Sequence, residues 1–259
     1  MKTKGLLMIV FLIGMFFSAQ AADHVKGNGK LSTKKITIDD FNAIKFDGVI
    51  DFNYEQSEST PHIEITVDEN LHPYVDIDIK DRVLTVGFKG AKVDHFTKFI
   101  VKTNSKWLKE VKASGNANFM ANSPLTGDEL KINSNCLVQL KQKVEVGKLD
   151  LNVSGSANMV VNELKTDKLE CSINGSGTIN LKAGNAEEAD YNITTDGEIM
   201  AFGIAVPEVN CKITGKGSAQ IHPTNNLKAT IVGKGNIRYK GPTAVQQKVI
   251  GKGTVEEVK

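Results

Sequence analysis

The chain has 259 residues, with 32 Lys and Arg against 30 Asp and Glu, 40 % hydrophobic and 24 % charged residues, and a formal net charge of +2. That length accommodates one large β domain or two smaller ones, and so even a charge balance argues against a nucleic-acid partner. The three cysteines, at 136, 171 and 211, are few and odd in number, and their spacing is not that of a zinc site.

The first residues read as an address. Lys2 and Lys4 form a basic start, Leu6 to Phe17 is an apolar run, and Ser18-Ala19-Gln20-Ala21 ends in small residues of the A-x-A type. The run is shorter than the ~20 residues a membrane span needs. It therefore predicts a signal peptide over 1–21, cleaved after Ala21, and an exported protein of the periplasm, the outer surface or the medium. No Cys near the cleavage point offers a lipoprotein acylation site, and no second apolar run predicts an integral span. Cleavage removes two Lys and no acid, so the mature chain is formally neutral. From Asn210 to Lys259 there are nine basic residues and two acids, a balance of +7, which leaves −7 for residues 22–209. A basic end on an acidic body suits contact with an anionic surface or head-to-tail self-association.

Residues 22–35 are polar and contain Gly27-Asn28-Gly29, and they read as a flexible leader. A phosphate-loop reading fails there for want of a third Gly and of a strand–turn–helix context. Residues 36–106 alternate with a period of two. Ile63, Ile65 and Val67 form one run, Val75, Ile77 and Ile79 a second, Leu84, Val86 and Phe88 a third, and Phe99 and Val101 a fourth. Such alternation predicts strands with one buried face, and turn formers such as Asp68-Glu69-Asn70 and Lys89-Gly90 separate them.

From Trp107 to the C-terminus a phrase recurs about every 20 residues: apolar-x-Ile/Val-x-Gly-x-Gly/Ala. Its first glycine falls at Gly115, Gly155, Gly175, Gly215, Gly233 and Gly251, with Thr195 in that place once. The unit around 130–140 keeps the alternation but lacks the glycine pair. A repeat of this length predicts an all-β fold, a β-helix or β-solenoid over 107–259 preceded by the strand-rich region. Equivalent residues then form ladders at the ~4.8 Å strand spacing. The ladder Val153, Ile173, Ile193, Ile213, Ile231, Val249 is the predicted core, and the glycines are predicted corners where the backbone needs positive φ or close approach. Cys171 and Cys211 fall two coils apart, ~9.6 Å from twice the strand spacing. That exceeds the reach of a disulfide and predicts buried thiols. The fate of Cys136 is open.

Phe41-Asn42-Ala43-Ile44 with Gly48-Val49, Val67 to Leu71, Leu84-Thr85-Val86, and Leu108-x-x-Val111-x-x-Ser-Gly leading into serial Gly-x-Gly units together resemble the head GIN domain family of auto-transporter adhesin-like exported proteins. The resemblance spans about residues 36–255 and implies one Gly-rich, β-helical, exported domain. It supplies no catalytic residue and no cofactor.

The acids of the repeats sit mostly in turns, no rung shows a run of Asp, and the five His are scattered. The reading is therefore not an enzyme, with a polysaccharide-cleaving enzyme as the weakest alternative. Asp76, Asp78 and Asp81 read as a solvated face rather than a Ca²⁺ site. Lys216, Lys234 and Lys252 each stand between the two glycines of a unit and predict a basic ridge for acidic polysaccharide or lipid headgroups. The function expected is a non-catalytic surface or periplasmic interaction module, with self-association through the solenoid ends as a further expectation. A pocket lined by Phe88, Phe96 and Phe99 would instead favour a lipid- or small-ligand-binding protein, and convergent carboxylates would favour an enzyme.

Overall fold

A computed structural model of the protein describes residues 23–258; the segment read as a signal peptide, residues 1–21, lies outside them. Strands account for 74 % and helix for 3 %, and the chain winds into a β-solenoid of about 7 turns. The coils stack parallel and in register. Leu151 pairs with Cys171, then come Tyr191, Cys211, Ala229 and Gln247 up one column. Two residues along, Val153, Ile173, Ile193, Ile213, Ile231 and Val249 form the next. All but the last of these are buried, while Val249, on the last coil, is 39 % exposed. Buried parallel strands favour β-branched side chains, which pack against their own copies above and below. In the first column the large Tyr191 lies between the small Cys171 and Cys211, so the layers interdigitate. All three cysteines are free and buried, and burial pushes the Cys211 thiol up to about 12.

The corners after these columns have two different requirements. At the first corner position the backbone turns left-handed: Gly175 has φ +142°, and a Cβ there would run into the Gly155 carbonyl oxygen. Thr195 holds the same position one coil on with φ +89°. A β-branched residue in that region is strained by about 1–3 kcal/mol; the Thr195 hydroxyl partly offsets this by donating to the Gly175 carbonyl at 2.7 Å. At the second position the constraint is space. A Cβ on Gly217 would collide with Cγ2 of Ile193 on the preceding coil. Ala157 occupies the equivalent position in its coil, where the residue in register beneath Val153 is the smaller Ser134. The degenerate unit also has its explanation here. Between Ser134 and Leu137 its corner is two residues shorter than the Ala113–Asn118 corner it stacks on. The Ser134 hydroxyl closes it by accepting from the Cys136 N–H at 3.0 Å, so no glycine is needed.

Apart from Asp23–Lys26 and Ala91–His95, which form a two-stranded sheet of their own, the strands before Trp107 belong to the same 19-stranded sheet as the repeats. Ala43–Asp47 pairs in parallel with both Glu110–Ser114 and Val83–Phe88, and Asp51–Gln56 with both Asn118–Ala121 and Ile100–Ser105. The stack therefore begins with the 83–105 coil, continues with the 43–56 coil and only then enters the repeats, out of sequence order. Phe46, Phe52, Tyr54 and Phe119 fill the interior of this end, with Phe46 and Phe52 stacked at 4.8 Å. Antiparallel strands complete it: His62–Asp68 pairs with Leu31–Thr37 and with Ile100–Ser105, and Val75–Lys80 with Val83–Phe88.

The expected flexible leader is corrected by the structure, because residues 23–35 are largely strand. Asp23–Lys26 runs parallel to Ala91–His95, and Leu31 opens the strand paired with His62–Asp68. The buried carboxylate of Asp68 holds the intervening loop. It accepts hydrogen bonds from the Gly29 N–H at 2.6 Å, the Thr97 N–H at 2.7 Å and the Thr97 hydroxyl at 2.9 Å. The Gly27–Gly29 loop thus does bind an anion, but one from its own chain. Burial raises the pKa of this carboxyl, the bonds from Thr97 and Gly29 lower it, and the result lies below its ordinary value.

Two expectations follow. Gly217→Ala overpacks the corner and costs about 1–3 kcal/mol, and Ile193→Ala costs about 2–5 kcal/mol. The double variant, followed by thermal and urea unfolding, should lose less than the sum by about 0.5 kcal/mol or more; strict additivity would contradict the contact. For Asp68, a depressed folded pKa means the stabilisation is present above the unfolded value of about 3.9 and is lost as pH falls through the lower folded value. The melting-temperature gap between the wild type and Asp68→Asn should be widest near neutral pH and close below about pH 4. A gap independent of pH would count against the clamp.

Candidate functional site

The corner that carries the glycines also carries one outward side chain per coil. Gly155, Gly175, Thr195, Gly215, Gly233 and Gly251 are in register, so the residues that follow them, Ser156, Ser176, Asp196, Lys216, Lys234 and Lys252, line one exposed ridge. Backbone bonds fix the spacing: the Lys234 N–H donates to the Gly215 carbonyl and the Lys252 N–H to the Gly233 carbonyl, both at 2.8 Å. The structure therefore brings Lys216, Lys234 and Lys252 together on three successive coils. The ridge changes character along the axis. Ser156 and Ser176 share a hydroxyl contact of 3.1 Å, Asp196 follows, and then come three ammonium groups about 4.8 Å apart in register.

On earlier coils the solenoid pairs several of its charges. Lys131 meets Asp150 at 3.1 Å, Lys148 and Lys168 share Glu170 at 3.0 and 2.9 Å, and Lys143 and Lys165 share Glu145 at 2.8 and 2.7 Å. The bonds from Lys143 and Lys165 pull the Glu145 carboxyl down to about 2. Among the described residues, none of the thirteen ion pairs includes Lys216, Lys234 or Lys252. Like charges on adjacent rungs repel one another, and only solvent or an external anion relieves these three.

Three acids of mixed type do align: Asp150, Glu170 and Asp190 pair in sequence on one column. Register placed them there, and the lysines above together with the Asn210 amide, 3.1 Å from Asp190, occupy their oxygens. Every carboxyl whose pKa is displaced (Glu64, Asp68, Asp94, Glu145 and Glu170) moves down. A glycosidase acid needs the opposite shift. Asp76 is 3.6 Å from Lys89, and among the described residues no group of three or more His, Cys, Asp or Glu is arranged to hold a metal. No helix of the described residues is long and apolar enough to cross a membrane.

The three phenylalanines do converge. Phe88 lies 5.5 Å from Phe96 and 4.7 Å from Phe99, and with Ile50 and Val93 they line an open notch of about 200 Å³ beside Val49, which is 53 % exposed. That volume is below the ~300–1,000 Å³ typical of small-molecule sites, so it suits an apolar tip rather than an enclosed lipid.

Solved structures repeat this architecture. The crystal structure of a protein from Parabacteroides merdae described as a putative adhesin is 96 % identical, with TM-score 0.91, and the match covers 92 % of this chain and 100 % of that one. A putative adhesin from Parabacteroides distasonis is 70 % identical, with TM-score 0.90 over 91 % of this chain and 100 % of that one. A second protein of Parabacteroides distasonis, described as a putative lipid binding protein, is 33 % identical, with TM-score 0.86 over 92 % of this chain and 100 % of that one. No functionally curated protein matches the sequence. The family profile described as "Putative auto-transporter adhesin, head GIN domain" matches residues 40–242. With its in-register coils and its glycine corners, the chain belongs to the head GIN domain family.

Proposed function

We propose that this protein is a non-catalytic, exported β-solenoid that acts as an interaction or adhesion module at the cell surface or in the periplasm, and that the Lys216–Lys234–Lys252 ridge is its contact with anionic surfaces. The observation that carries the reading is register: three exposed ammonium groups on successive coils of one column, none of them in an ion pair among the described residues. The adhesin descriptions of its relatives support the general class, and the signal-peptide pattern of residues 1–21 supports export. None of the carboxyls with a displaced pKa is raised, which weighs against a polysaccharide-cleaving enzyme. A second reading, binding of a lipid or small apolar ligand, is favoured by the Phe88–Phe96–Phe99 notch and by the lipid-binding description of one relative.

Vesicle binding separates the two. Each basic side chain near an anionic surface contributes about 1 kcal/mol, so changing all three lysines to Gln should weaken binding to lipopolysaccharide-containing vesicles on the order of 100-fold. Wild-type binding should also fall with added salt. Salt-insensitive binding that survives the triple change would refute the ridge. Equal binding to neutral phosphatidylcholine vesicles would transfer the role to the notch.

A further inference from the structure

A different face of the same coils is almost free of charge. Two outward columns flank the buried Val153–Ile173–Ile193 column. One runs Lys112, Asn133, Asn152, Ser172, Asn192, Lys212; the other continues through Ser154, Asn174 and Thr194. Between Lys112 and Lys212 both columns are uncharged, although the neighbouring column on these coils holds Lys131, Asp150, Glu170 and Asp190. The surface is concave there. These side chains line a trough of about 480 Å³ across six coils, with Lys45 and Lys112 at its N-terminal end and no carboxylate in its lining. Asn152 and Ser172 are half-buried in it, and Ser154, Asn174, Asn192 and Thr194 are exposed. The Asn152 amide donates to Asp150 at 2.7 Å, which fixes its carbonyl side outward. Ser154, Ser172, Asn174, Asn192 and Thr194 spend no side-chain hydrogen bond within the described residues.

We infer that this trough is a binding site for a neutral, extended glycan strand lying along the solenoid axis. The chemistry narrows the ligand. The amides and hydroxyls of the lining offer alternating donors and acceptors along the trough. The absence of charge in its middle gives an ionised polymer no counter-ion. The strands beneath already use their backbone groups in the ladder, so an added peptide strand has no edge to join. A glycan presents hydroxyl or acetamido groups at every ring, and the coils present a fresh pair of polar side chains at every ~4.8 Å step. The trough lies on different columns from the lysine ridge, and the inference does not rest on that ridge.

The test is a titration of the ¹⁵N-labelled mature chain with chitohexaose and, separately, cellohexaose. The expected result is saturable movement of the side-chain amide signals of Asn152, Asn174 and Asn192 with at least one of the two. The double variant Ser172→Leu, Asn192→Leu should weaken that binding about tenfold or more, with the far-UV spectrum and melting temperature retained because both positions face outward. The triple Lys→Gln variant should bind like the wild type. Millimolar hexasaccharide that leaves these amides unmoved would overturn the inference. So would movement confined to other residues, undiminished binding by the double variant, or loss of binding in the lysine variant.

Discussion

Everything in this structure depends on one constraint: each coil must hydrogen-bond in register to the coil below, so every residue meets its own counterpart from about twenty positions earlier. A parallel ladder with a period set by the chain has no freedom to shift by one, because a one-residue slip would turn the buried column outward. The Ile and Val column, the left-handed corners and the second glycines are three consequences of the same stacking. The corner carbonyls come so close that a Cβ at Gly175 has no room, and the branch methyl of each core Ile occupies the space above which the next coil turns. Thr195 and Ala157 show that the constraint is on geometry rather than on glycine itself. One compensates for strain with a hydroxyl bond to Gly175, and the other sits where the register provides Ser134 beneath it.

That is also why so much of the fold was legible beforehand. A constraint repeated at fixed intervals writes itself repeatedly into the sequence, and the core column and the corners could be read from spacing alone. What does not repeat was not legible. The coils at 43–56 and 83–105 stack in an order the chain does not follow, and insertions interrupt them, so Ala43–Asp47 pairing with Glu110–Ser114 leaves no periodic trace. The ordered leader is held by partners far along the chain: its strands pair with Ala91–His95 and His62–Asp68, and the Asp68 carboxylate reaches Gly29 across 39 positions. Polar and glycine-containing composition describes such a segment as a loop whether or not something holds it. The acidic column was missed for a related reason, since Asp150, Glu170 and Asp190 look scattered until the exact register is known.

The surface is where the copies diverge. Stacking requires the inward residues to resemble one another but leaves the outward ones free, so each outward column has its own chemistry. One carries interlaced lysines and acids, which neutralise each other. Its neighbours are amide- and hydroxyl-lined over the middle coils. The corner ridge passes from serine through Asp196 to three lysines. Side chains on a solenoid column are held at the coil spacing without further support, so a row of groups that pairs with nothing in its own chain is preorganised for an extended partner. The lysine ridge was legible in the sequence from its fixed place between the glycines; that the Asn, Ser and Thr residues of successive coils line one trough required the register.

The most direct test of this account is the distance along the ridge. Ser156 and Lys252 are predicted to be five coils apart on one column, about 24 Å by strand spacing. Spin labels can be attached at Ser156→Cys and Lys252→Cys, since the native thiols at 136, 171 and 211 are buried. Pulsed dipolar spectroscopy should then give one narrow distribution centred near that distance, allowing for the label arms. A broad distribution, or a centre displaced by more than a few coil spacings, would contradict the in-register stack on which the ridge, the trough and the core all depend.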